Sequence, residues 1–440
     1  MDIRNWNDYL NTDIECNCGK THRCDIDKII IEEGAISKLS EIIMSGFYHN
    51  TCVVCDSTTE EAAGRLVYQE LRSNLIQFEP IILRDKEPIA DEKSIGDILV
   101  HIAPKCDLII AVGSGTINDL CKFISYKMGI DYIIVATAPS MDGYASNVSA
   151  LIVNHLKCTY EVGRPKAIIA DTNILAEAPF AMITAGVGDI LGKYVCLADW
   201  KLSNIVTGEY YCCFVEALVR DSLEMVVAAI SKINERDKDA ITAIMEALVL
   251  SGIAMSYIGN SRPASGSEHH LSHFWELSFL QSNRPCALHG TKVAVGTVIA
   301  LKLYERLNVN SFRCDCLSAP NFNEEKWKES INKVYGLAAK EVIELEESVH
   351  KNSNDEVQLR RDAIYKHSNE IHMLIDKLPD SEEIKQLLDS IFAPYLPKQI
   401  QVDDELVSNA ILYAKELRNR YGILQLLFDI DELEKFALYN

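Results

Sequence analysis

Four of the chain's 11 histidines fall between positions 269 and 289, in RPASGSEHHLSHFWE and RPCALHGTKVAVG. Ser265 and Glu268 form an S-x-x-E box, which predicts a helix starting at about residue 266. On such a helix His269 and His273 are i and i+4 and share one face. His270 is rotated by about 100° and points elsewhere. Two imidazoles on one helical face are a good start for a divalent metal site. His289, after Pro285 and before Gly290, opens another helix. A further ligand has to come from elsewhere, and GVGDILGK offers Asp189 at what reads as a glycine-rich helix start. An Asp in a first turn is also favoured by the helix dipole alone. A carboxylate with two imidazoles leaves positions open for water or substrate, the pattern of a catalytic metal. The set suits Zn²⁺, Ni²⁺ and Fe²⁺ alike. Such an ion can polarise a carbonyl or alcohol oxygen.

The elements that must position these groups fall into two halves. Over the first 160 residues, apolar runs alternate with helical stretches. TCVVCD (51–56), FEPIILRD (78–85), CDLIIAVGSG (106–115) and DYIIVATAPS (131–140) read as strands, with helices between them. Continuous β-branched runs of this kind predict a parallel sheet covered on both faces. Gly113 and Gly115 end a buried strand and open a helix, where glycine lets backbone approach a ligand and free N–H groups attract phosphate. The pattern GSGTIND carries Asn118 in the place of a third glycine. TAPS (137–140) ends the next strand, on the carboxyl edge where open α/β sheets bind ligands. Asp56 ends the first of these strands. It is read as accepting from a ribose diol, which favours NAD over NADP, with a helix cap as the competing role.

A hairpin-like stretch follows (145–175), after which the pattern changes to long segments of 3.6 period, an all-helical half. The boundary is placed at 165/166, with a nucleotide-binding domain over 1–165 and a metal- and substrate-binding domain over 166–440. Residues 341–372 are strongly charged and read as a solvated helix pair. The net charge is −21, from 43 basic and 64 acidic residues. That argues against nucleic acid and anionic lipid as partners. No apolar run reaches the roughly 18 residues of a membrane helix, and the first twenty residues lack a signal-peptide core. The expectations are no membrane association and a cytoplasmic protein, assembled as a homodimer or higher homo-oligomer by base rate. With that setting the 14 cysteines read as reduced thiols. Cys16, Cys18, His22 and Cys24, in CNCGKTHRC, hold enough soft ligands for zinc. The spacing is not a regular CxxC pair and has no second half, so a packed N-terminal turn is the expectation.

The chain resembles the sn-glycerol-1-phosphate dehydrogenases of the AraM type, in the group that includes iron-containing alcohol dehydrogenases, glycerol dehydrogenase and dehydroquinate synthase. The most specific pieces are AVGSGTINDLCK, TAPSMDGYASNVSA, AGVGDILGKYVCLADW, RPASGSEHHLSHFWE and LHGTKVAVG. The resemblance implies an α/β Rossmann-like N-terminal domain and an all-α C-terminal domain, the dehydroquinate synthase-like fold. It implies NAD(P) contacts at Asp56, at Gly113, Ser114, Gly115, Thr116 and Ile117, at Thr137, Ala138, Pro139 and Ser140, and at Ser146. It implies one divalent metal held by Asp189, His269 and His289, with substrate near Asp142, Asp189 and His273. His273 thereby moves from the metal to the substrate. The implied reaction is reversible reduction of dihydroxyacetone phosphate, a phosphorylated triose, to sn-glycerol 1-phosphate, with a place in phospholipid biosynthesis. For the phosphate, Lys193, Arg262 and Lys292 are near in sequence only. Competing readings are a dehydrogenase for an unphosphorylated polyol such as glycerol, a dehydroquinate-synthase-type lyase, and a non-catalytic nucleotide-binding protein. The segment 341–372 looks longer than the usual family pattern.

Overall fold

The computed structural model describes residues 8–85, 87–153, 156–312 and 319–438. The chain divides into two compact units, one formed by Met1–Ile190 with Ala217–Asn260, the other by Leu191–Glu216 with Ser261–Asn440.

In the first unit, a short hairpin pairs β1 (Ile14–Glu15) with β2 (Thr21–His22). The main sheet has six strands: β3 (Lys28–Glu32), β4 (Thr51–Asp56), β5 (Phe78–Leu83), β6 (Leu108–Gly113), β7 (Asp131–Ala136) and β10 (Ala167–Asp171). Between the last two, β8 (Val148–Val153) and β9 (Leu156–Glu161) form the expected hairpin. Its turn, at 154–155, lies outside the described residues. The sheet order is β3-β10-β7-β6-β4-β5, and neighbouring strands pair in parallel. The four strands expected from sequence are present. The edge strand β3 was not anticipated, and β10 lay inside the stretch read as hairpin-like but joins the main sheet. All residues of β4, β6 and β10 are buried, which is why these strands carry apolar runs and not an alternating pattern.

The strand order reverses between β4 and β6: β5 lies on one side of β4 and β6 on the other. Connections that diverge in this way open a crevice at the strands' carboxyl ends. Asp56 and Gly113 stand at those two ends.

Helices important below are α1 (Gly115–Met128), α2 (Phe180–Leu191), α3 (Lys193–Thr207), α4 (Lys238–Ile258), α5 (Ser267–Gln281), α6 (His289–Glu305) and α7 (Asn354–Lys366). The second unit has no named strand among its described residues. Phe180–Thr207 and Lys238–Ile258 are long and apolar enough to cross a membrane by length and composition, which corrects the sequence reading of no such segment. The windows that pass are 78% and 83% buried inside the protein, as in core helices.

The charged segment differs from expectation. Its helices, Ala339–Val349 and α7, do show charge to solvent, but Glu346, Lys351, Asn352, Arg360 and Arg361 are buried. Arg360 forks onto both oxygens of Asp429, at 2.7 and 2.8 Å. Lys351 lies 3.1 Å from Glu416, which Lys415 also contacts. Sequence shows how many charges a segment has, and not which of them a distant helix will pair.

Candidate active site

In the first unit the glycine turn joins β6 to α1. A Cβ on Gly113 would stand 2.6 Å from Ile117 Cβ, so only glycine permits this sharp entry into the helix. Ser114 is the N-cap residue and makes no side-chain cap bond. The backbone N–H groups of Gly115, Thr116 and Ile117 head a helix of 14 residues, the geometry that receives phosphate. The Thr137 N–H donates to Gly113 O at 3.1 Å, tying the segment after β7 to this turn. Thr137, Ala138 and Ser140 are buried, and Tyr144 Oη donates to Ala138 O at 2.6 Å.

Asn118, in the place of the third glycine, is fully buried. One turn further on, buried Lys122 donates to Gly143 O (2.7 Å), Val148 O (3.0 Å) and Ser146 Oγ (3.2 Å). Burial pushes the Lys122 ammonium down to about 8 against the pull of Asp119 and Asp142. Ser146 therefore helps to lock the 143–148 loop, whatever else it does. Asp56 caps the helix after β4: its Oδ1 accepts from the N–H groups of Thr58 and Thr59, both at 2.8 Å. The cap role is thus real, and the Oδ2 atom lies outside it.

Pro139 and Asp142 stand on a loop seated between α2 and α4. A Cβ on Gly186 of α2 would come within 1.9 Å of Pro139 O, and one on Gly252 of α4 within 2.8 Å of Ala145 Cβ. Asp142 is held from two sides. Its N–H donates to Asp189 Oδ2 at 3.1 Å, and its Oδ2 accepts from Ser251 Oγ at 2.9 Å.

Asp189 is not at a helix start. It lies in the last turn of α2 and is fully buried. GVGD lies inside the helix, with Gly186 as a packing position, and was misread as its beginning. A carboxylate there faces the negative end of the helix dipole, so the dipole disfavours it. A buried carboxylate needs a compensating cation or strong donors. A divalent ion fits that need.

In the second unit, α5 and α6 bring three imidazoles together. Ring centroids are 5.1 Å apart for His269 and His289, 6.0 Å for His269 and His273, and 5.9 Å for His273 and His289. A Cβ on Gly296 would stand 2.5 Å from Glu268 O, so the two helices touch without a side chain between them. Helix α5 begins at Ser267 with Gly266 as its N-cap, and the Ser265–Glu268 box does not cap it. Glu268 Oε1 instead accepts from Gly266 N–H at 2.8 Å and lies 2.6 Å from His269 Nδ1. Such a carboxylate fixes the imidazole with its proton on Nδ1 and turns Nε2 outward as a ligand atom. His270 is buried on another face, as the helical spacing predicts. Burial, with Arg420, Arg262 and Arg418 nearby, pushes its imidazole well down, so it is neutral.

Two positioning residues escaped the sequence reading. Glu268 was taken as a cap and is the carboxylate behind His269. Asp199, buried in α3, accepts from Ser267 N–H (2.7 Å) and Oγ (2.6 Å), from Tyr304 Oη (2.5 Å) and from Ile423 N–H (2.9 Å). It fastens the start of α5 to α6 and to the helix at Ile423–Asp429. Burial and the Glu268 charge raise its carboxyl, opposed by the Ser267 and Tyr304 hydroxyls and by Arg262. Of the cations near in sequence, Arg262 pairs with Glu209 and Lys292 with Glu276, while Lys193 donates to Ala264 O.

A family profile described as iron-containing alcohol dehydrogenase matches residues 30–179. The glycerol-1-phosphate dehydrogenase [NAD(P)+] of Halalkalibacterium halodurans is 34% identical over 418 residues, covering 94% of this chain and 95% of that one. The enzyme of the same name from Hyperthermus butylicus is 33% identical over 287 residues, 64% of this chain and 80% of its own. Among solved structures, an iron-containing alcohol dehydrogenase from Thermococcus thioreducens superposes with a TM-score of 0.62 at 15% identity, covering 94% of this chain and 98% of that one. The glycerol dehydrogenase of Schizosaccharomyces pombe gives 0.59 at 16%, with 94% and 90% covered. These two show the fold, and the sequence relatives show more: the chain belongs to the glycerol-1-phosphate dehydrogenase family.

Proposed function

We propose that the chain is a metal-dependent, NAD(P)-linked dehydrogenase that interconverts dihydroxyacetone phosphate and sn-glycerol 1-phosphate. The observation that carries this is the convergence of His269, His273 and His289, with Glu268 behind His269, in a chain one-third identical over nearly its full length to enzymes of that name. Asp189, His269 and His289 are the proposed ligands of one divalent ion, Zn²⁺, Ni²⁺ or Fe²⁺ by donor chemistry. When bound, the ion supplies Lewis acidity toward the C2 oxygen and the nicotinamide supplies the hydride.

The chain's own residues do the rest. The N–H groups of Gly113, Ser114, Gly115, Thr116 and Ile117 hold the cofactor phosphates, and Thr137, Ala138, Pro139 and Ser140 line the same edge. Asp56 has Oδ2 for the ribose, and Ser146 closes the set. Asp142, oriented by Ser251, and His273 bind substrate and pass the proton to or from its C2 oxygen. We place nucleotide binding in residues 1–165 and metal and substrate chemistry in 166–440. The proposed setting is a cytoplasmic homodimer or higher homo-oligomer, without membrane or nucleic acid.

The test is to strip the protein of metal and restore Ni²⁺, Zn²⁺ or Fe²⁺ separately. NADH oxidation is then followed with dihydroxyacetone phosphate or dihydroxyacetone, and NAD+ reduction with glycerol. Turnover of the phosphate ester well above the unphosphorylated ketone is expected. No activity on the ester with any metal overturns the reading.

A further inference from the structure

The CNCGKTHRC segment forms no mere packed turn. β1 and β2 pair in the register Ile14↔His22 and Glu15↔Thr21, and Gly19, at a φ of 85°, closes the turn between them. The Gly19 N–H donates to Cys16 O at 3.0 Å, curling the C-x-C-G backbone so that both cysteines face the strand carrying His22. The donor atoms of Cys16, Cys18 and His22 lie within 4.8 Å of one another. Cys18 Sγ is 3.4 Å from His22 Nε2. Tetrahedral zinc, with its usual Zn–S and Zn–N lengths, sets sulfur and nitrogen ligands about 3.6 Å apart.

The orientation of His22 is fixed independently. Its Nδ1 lies 3.0 Å from Tyr257 O, a backbone carbonyl that can only accept, and its ring stacks on Tyr257 at 5.5 Å. The proton therefore sits on Nδ1, and the Nε2 lone pair is aimed at the cysteines. A carbonyl behind a histidine, setting the tautomer of the outward nitrogen, is the arrangement behind metal-ligating imidazoles. Cys24 is a different case. It is fully buried and stands outside the group of converging donor atoms, so it packs as a small apolar residue.

We propose that Cys16, Cys18 and His22 bind a structural zinc ion, and that this ion pins the N-terminal hairpin. The site is separate from the Asp189, His269 and His289 set and has different chemistry. Thiolates dominate here, where the other site has none.

That difference supplies the test. The full-length protein is stripped of metal, loaded with Co²⁺, and its near-ultraviolet spectrum recorded. A sulfur-to-cobalt charge-transfer band is expected, with intense visible bands from tetrahedral geometry. The wild-type spectrum needs no variant to fold. Cys16→Ser and Cys18→Ser should each abolish the band. Cys24→Ser and His289→Ala should leave it intact. Native protein treated with a mercurial thiol reagent should release one equivalent of zinc, in His289→Ala as in wild type. Absence of the charge-transfer band in the wild type, or its persistence in both Cys16→Ser and Cys18→Ser, overturns the proposal. Neither result bears on turnover of the phosphate ester.

Discussion

Two buried polar clusters in the second unit are built on opposite principles. Around Asp429 and Glu416 each charge meets its opposite: Arg360 forks onto Asp429, and Lys351 and Lys415 flank Glu416. Between α5 and α6, three imidazoles converge with a carboxylate behind one of them. The first cluster carries its own counter-ions, so its chemistry is complete and its role is to hold helices together. The second gathers three imidazoles with ring centroids 5.1–6.0 Å apart, a layout that suits something that arrives from outside. Both look alike as a tally of charged residues. The company each side chain keeps separates structure from function.

Substitutions can break this comparison. The largest effect is expected for His289→Ala. Metal content measured by atomic spectroscopy, and turnover with dihydroxyacetone phosphate, should both fall to background for the proposed site, with the thermal midpoint little changed. The reverse pattern is expected for Asp429→Ala. Leaving Arg360 buried and unpaired should cost about 3–5 kcal/mol in chemical denaturation, while any folded protein keeps its metal. An Asp429→Ala protein that loses metal at full stability would erase the distinction.

Glu268→Gln comes next. It keeps the shape and removes the charge behind His269, so metal affinity should drop roughly 10–100-fold. Titration of apoprotein with Ni²⁺ measures this, and an unchanged affinity would reduce Glu268 to a helix-start residue.

A pH dependence sharpens the other cluster. Burial alone would raise the Glu416 carboxyl, but Lys415 and Lys351 outweigh it and hold it at about 2, below its ordinary 4.5. The folded value is the lower one. The stability it gives is therefore complete above about 4.5 and fades as pH falls toward about 2. Denaturant midpoints should decline more steeply across that window in wild type than in Glu416→Gln. The smallest effect belongs to His270→Ala, whose imidazole is already neutral and on another face. Metal retention and turnover should match wild type, and losses equal to those of His289→Ala would refute the helical-face argument.

These contrasts also mark how far the sequence could be read. The strands around the nucleotide edge were legible because burial on both faces demands apolar runs, and the glycine turn because backbone had to bend there. The histidine face was legible from i,i+4 spacing. Asp189 was placed at the wrong end of its helix, since Gly186, which looks like part of a turn, serves instead to let Pro139 approach. Asp199 and Glu268 act through partners far away or through a single proton position, and local pattern carries neither. The N-terminal cysteines were discounted for irregular spacing, although a two-stranded hairpin brings irregular spacings together as readily as regular ones.

Gly296 sets the separation of α5 and α6 with a hydrogen atom, directly against the carbonyl of Glu268. One residue later in that helix pair comes His269. The gap between imidazoles thus behaves as a caliper whose stop is the smallest side chain available. Any methyl at 296 would open it, and in doing so would change which ionic radius the proposed metal site accepts.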